Sequence, residues 1–200
     1  MKKSLLSLCM MLLTVASWAQ NWTAPTENDY PHSTPVYVQV KVNGEEMLKG
    51  VEVAAFIDDE CRASSQFADA RVGDLRCYQL RVWGDTDTDL NKTITFKVSY
   101  GGLVFKMKKT IPFTGETYSE VPLVLNIDRP TGVSLPNPLE LEAKLPFSYD
   151  LTNDIEFLYE GRDASGATVP YTPLGESEIE TELTYSWDFA NSSAYFTVED

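Results

Sequence analysis

The sequence predicts an all-β fold: an antiparallel immunoglobulin-like β-sandwich followed by a second, partial β-rich immunoglobulin-like region. Three observations predict it. Apolar residues recur at every second position through the middle of the chain. Turn-forming residues separate these runs. Past the first twenty residues, no stretch of ten or more carries an apolar stripe of helical period.

The chain opens on Lys2 and Lys3, an apolar run LLSLCMMLLTVA and small residues at Ser17 and Ala19. This is the pattern of a secretory signal peptide over residues 1–19, with cleavage after Ala19, so the remainder is expected outside the cytoplasm. No later run approaches the roughly 18 apolar residues of a membrane span, and no span is expected.

In VYVQVKV (36–42), four valines share one face while Tyr37, Gln39 and Lys41 share the other, and Asn43-Gly44 supplies a turn. Further strands are expected at 51–57, 76–83, 93–100, 103–109 and 121–127. The Gly101-Gly102 pair suits a two-residue hairpin, which sets Tyr100 opposite Leu103, Val98 opposite Phe105 and Phe96 opposite Met107. The same register brings Lys97 against Lys106, a like-charge pair that calls for an acidic neighbour or a bound anion. Residues 66–75 offer a short turn of helix at most. This first domain is expected over 20–128. A Pro-rich linker follows at 129–138, and 139–200 form a second, short or incomplete region with strands at 154–161, 183–189 and 194–198.

The formal charge of −14 repels phosphate backbones, so nucleic acid is not an expected partner. Cys61 and Cys77 survive signal cleavage. In an oxidising compartment such a pair is most simply a disulfide, with two separate buried thiols as the alternative.

GDTDTDLNKT (84–93) places Asp85, Asp87 and Asp89 on alternate positions, then Asn91. Ca²⁺ takes six to eight oxygens, and these aspartates match the early ligands of an EF-hand loop. Leu90 stands in place of the loop glycine, however, and Phe96 in place of the closing glutamate. A calcium site of another kind would need Asp58 and Asp59 to approach. The competing reading is an acidic hairpin tip that ends a strand pair and deters edge pairing. Beyond possible calcium, no cofactor is expected. Trp83, Tyr37 and Trp22 are candidate ligand-binding aromatics, able to stack on sugar faces beside the carboxylates; a core tryptophan is the plainer reading for Trp83. His32 is the single histidine, no catalytic motif occurs, and no enzyme is expected.

In order along the chain stand VAAFIDDECRA, LRVWGDTDTDLNKTITFKVSYGGLVF and VPLVLNI. With them, residues 22–128 resemble the N-terminal β-sandwich modules of secreted and cell-surface proteins of Bacteroidetes. The resemblance implies an extracellular, non-catalytic module of a Gram-negative bacterium, often attached to immunoglobulin-like domains, with other surface proteins or glycans as partners. The function expected is binding, adhesion or a structural role; the alternative is a carbohydrate-binding module serving a polysaccharide-degrading system.

Overall fold

The computed structural model describes residues 22–134 and 156–181. The expected signal peptide and the expected strands at 183–189 and 194–198 lie outside the described residues. Within them the chain is all-β, with fifteen strands and no helix.

The first sheet comprises β1 (His32–Val42), β2 (Glu45–Met47), β5 (Ala70–Val72), β6 (Leu75–Gly84) and β10 (Leu123–Ile127), in the order β10-β1-β6-β5 with β2 on β1. The second comprises β3 (Val51–Ile57), β4 (Glu60–Ser65), β7 (Thr93–Tyr100), β8 (Leu103–Met107), β9 (Ile111–Pro112) and β15 (Ser177–Ile179). Its order is β15-β8-β7-β3-β4 with β9 on β7. Two short ladders, β11 (Gly132–Ser134) with β12 (Glu156–Leu158) and β13 (Glu160–Arg162) with β14 (Thr168–Pro170), stand apart from the sheets.

Period-two patterning decides which face of each strand turns inward. Val36, Val38, Val40 and Val42 of β1 join Tyr78, Leu80 and Val82 of β6 in one apolar cluster with Val53, Ile57, Phe96, Val98 and Phe105 of the second sheet. Both sheets therefore share a single core, and each of its fully buried large side chains contributes on the order of 1.5–3 kcal/mol.

The hairpin register is the expected one through Tyr100–Leu103, Val98–Phe105 and Lys97–Lys106. Both turn glycines adopt positive φ, 59° and 81°. The Asp58-Asp59 pair does the same work between β3 and β4, with φ of 51° and 63°, the conformation a two-residue primed turn demands.

Three expectations are corrected. The pairings are antiparallel except one: β1 and β10 run parallel, with Val40 beside Leu125. Residues 70–72 form no helical turn but pair with β6, Ala70 against Cys77. Cys61 and Cys77 are free thiols, not a disulfide. Strand parity explains the last. Cys61 opposes Phe56, whose neighbours Ala55 and Ile57 face the core while Phe56 does not. Cys77 precedes the inward-facing Tyr78. The two sulphurs therefore leave the outer faces of different sheets, with the core between them. Burial pushes both thiols up from their ordinary pKa.

The acidic partner that Lys97 requires comes from the segment at and after β15. β15 pairs with the free edge of β8, Glu178 beside Lys106. Lys97 Nζ lies 2.7 Å from Glu180 Oε1, and Lys108 Nζ 3.3 Å from Glu178 Oε1. Asp128, nearly buried at 7% exposure, anchors the approach to β15. Its carboxylate accepts the Gly175 amide at 2.6 Å, the Leu174 amide at 2.9 Å and the Tyr171 hydroxyl at 3.1 Å. Burial first, then the Asp128 carboxylate, pushes the Tyr171 phenol up to about 12.

Candidate functional site

The loop after β6 does not gather its carboxylates. Asp85 Oδ1 accepts the Asp87 amide at 2.9 Å, and the Asp85 carbonyl accepts the Asp89 amide at 2.6 Å. These bonds fold residues 85–89 into a tight turn, so the alternation of a strand is lost and the three side chains part. Asp87 is exposed. Asp89 turns inward and is only 2% exposed. Asn91 takes a left-handed backbone (φ 65°) and its amide donates to the Phe113 carbonyl, closing the turn ahead of β7.

A buried carboxylate needs paired cations and hydrogen bonds. Asp89 has them. Arg62 Nη1 lies 3.3 Å from Oδ2, Lys92 Nζ 2.9 Å from Oδ1, and the Asp85 amide donates to Oδ2 at 3.0 Å. Burial alone would raise the carboxyl's pKa; the hydrogen bonds and the two cations outweigh it and hold Asp89 below the ordinary carboxylate range. Asp58 does approach the loop, but through a cation: the same Lys92 ammonium sits 2.8 Å from Asp58 Oδ2. Asp59 is exposed on the β3–β4 turn. Among the described residues, no group of three or more His, Cys, Asp or Glu side chains is disposed to hold a metal ion.

Arg62 reaches this position through a bulge. Ala55 pairs with Ala63 and Phe56 with Cys61, so Arg62 is the extra residue of β4. Bulges re-aim side chains. Arg62 also contacts Glu60 Oε2 at 3.1 Å and the Trp83 carbonyl at 3.3 Å, and it lies 4.1 Å above the Tyr30 ring. Gly84 leaves no room for a side chain beneath the loop, since a Cβ there would meet Phe113 Cζ at 2.7 Å. His32 faces Thr86, with Nδ1 3.2 Å from Oγ1.

The aromatic candidates divide between the two sheets. Tyr37 and Trp83 are both half-buried at outward-facing positions of β1 and β6, Tyr37 opposite Gln79 and Trp83 opposite Ser33. Gln79 and Trp83 are four positions apart on β6, so the two aromatics stand about 13 Å apart along the strands. Gln39 and Arg81 share the face, and the Arg81 guanidinium rests 5.5 Å from the Trp83 ring centroid. Trp83 is thus outside the core. Trp22 lies on the second sheet, edge-on to Phe56 at 5.9 Å, with its amide donating to Glu52 Oε1 at 3.0 Å. It covers β3 and shares no surface with the other two.

What sequence reasoning missed is the cation side of the acidic loop. Arg62 and Lys92 stand in the sequence, but nothing local marks the bulge that turns Arg62 inward.

These features define a class: an all-β protein with two sheets over one core, an internally neutralised acidic loop and an aromatic-bearing outer face. No protein-family model, no curated protein and no solved structure matches the chain. No helix among the described residues is long and apolar enough to cross a membrane.

Proposed function

We propose that the chain is a non-catalytic binding module, secreted or displayed at the cell surface, built as an immunoglobulin-like β-sandwich. Its contact surface is the outer face of the first sheet. The observation that carries this reading is the shared face of Tyr37 and Trp83 on the two paired strands β1 and β6, with Gln39, Gln79 and Arg81 between and beside them. Aromatic side chains on a rigid sheet offer contact area at little cost in conformational entropy, and the amides and guanidinium supply hydrogen bonds around it. The leader-like first residues and the resemblance to Bacteroidetes surface modules point the same way. Other surface proteins are the first class of partner.

A glycan is the second reading, favoured by the same pair: aromatic rings stack on the apolar faces of sugars while Gln and Arg bond hydroxyls. In that case the module would serve a polysaccharide-degrading system. A glycan array separates the two. Saturable binding that falls in both Trp83→Ala and Tyr37→Ala establishes sugar recognition. Capture of a surface protein blocked by those substitutions establishes the first reading. Binding that survives both removes this face from the account, and hydrolytic turnover abolished by a point mutation removes the non-catalytic assignment.

A further inference from the structure

We propose that the cavity between the β1–β2 turn and the β13–β14 ladder is a binding site for a small organic carboxylate that also carries hydrogen-bond donors, held through Arg129. The cavity measures about 200 Å³ and its lining includes Asn43, Glu45, Tyr100, Arg129, Glu160 and Arg162. It involves neither Tyr37 nor Trp83, so it stands or falls apart from the outer face of the first sheet.

Arg129 is fixed at both ends. The Arg129 amide donates to Asn43 Oδ1, and Asn43 Nδ2 donates to the Arg129 carbonyl, each at 2.8 Å. A further bond from the same Asn43 nitrogen to the Glu160 carbonyl, also 2.8 Å, ties the β13 wall of the cavity to this point. At the other end the guanidinium lies 5.4 Å from the Tyr100 ring centroid. It also lies against Gly101, where a Cβ would stand 3.3 Å from Nε and Nη2. Yet this held guanidinium makes no side-chain hydrogen bond or ion pair among the described residues, and its Nε is buried without a partner.

A guanidinium presents a planar fork of donors that matches an oxyanion in bidentate fashion. Glu45 and Glu160 in the same lining select among oxyanions. They oppose a dianionic phosphate, and their oxygens accept from hydroxyl or ammonium groups on the same ligand. The volume is below the roughly 300–1,000 Å³ of sites for drug-sized molecules, so it fits a single sugar acid or amino acid, free or as an end group.

The test is a titration of the isotope-labelled full chain, read at the Gly101, Thr131 and Gly161 amides by NMR. The probes are D-glucuronate, L-alanine, D-glucose and inorganic phosphate. Saturable shifts with glucuronate or alanine are expected, and which of the two saturates first tells whether the donors are hydroxyls or an ammonium. Arg129→Gln should weaken that binding by about tenfold or more, the usual effect of losing a charge-assisted hydrogen bond. Should this variant not fold, the comparison of glucuronate with glucose on the wild-type chain carries the same decision, since only the carboxylate differs in charge. No saturation by either carboxylate overturns the proposal. So do glucose or phosphate binding as tightly as the carboxylates, or an affinity untouched by Arg129→Gln.

Discussion

Asp89 sits buried at the head of β7 because Arg62 and Lys92 meet it there, and this dependence is measurable. Removing the carboxylate in Asp89→Ala leaves Arg62, whose side chain is 7% exposed, without its buried counter-charge. Breaking a buried pair from one side costs about 3–5 kcal/mol; the lower end is expected, because Glu60 and the Tyr30 ring remain as partners of Arg62. Chemical denaturation of the variant measures the loss. The same carboxyl has a folded pKa below its unfolded value of about 3.9. Its contribution is therefore present above about pH 4 and disappears as the pH falls through the lowered folded value. Asp89→Asn should flatten that part of the acid limb, and a stability–pH profile of the two proteins compares them directly. The alternating aspartates were plain in the sequence. That only one of them turns inward, and toward cations, was not, because the turn at 85–89 replaces strand alternation and the Arg62 bulge arises from the pairing of β3 with β4.

At the scale of elements, the strands at 51–57 and 93–100 agree with their sequence signals residue for residue. Valine-rich alternation and the Gly-Gly turn are local properties, and they survive in the fold because the core uses the same parity. The short elements were not legible. β2, β4, β5 and β9 are held by neighbours, not by their own patterning, and the parallel partner of β1 comes from more than 80 residues downstream. β15 is the clearest case: Ser-Glu-Ile reads as nothing in isolation, yet it sets Glu178 opposite Lys106, within reach of Lys108, and leads into Glu180, which pairs with Lys97. Asp128 is its anchor, so Asp128→Ala should release the segment. The amides of Val104 and Lys108, which donate to Thr181 Oγ1 and the Glu176 carbonyl, are expected to lose hydrogen-exchange protection selectively. The β1–β6 ladder should keep its protection. Protection unchanged at Val104 and Lys108 would show that the edge pairing holds without the clasp.

For the whole molecule, stability rests on the shared core and not on a covalent staple. With Cys61 and Cys77 on outer faces of different sheets, the melting temperature should be the same with and without reductant, and a thiol reagent should count both sulphurs once the protein is unfolded. A melting temperature lowered by reductant would contradict the strand parity assigned to β4 or β6. The sequence by itself determined the all-β character, the main strands, the inward faces and the hairpin register, since each follows from periodicity and turn chemistry within a few residues. Only the tertiary structure decided the rest: the fate of the cysteines, the neutralised acidic loop, the shared face of Tyr37 and Trp83, and the seat of Arg129. Each depends on which strands become neighbours, and that choice is made by burying one common core across distances no local pattern encodes.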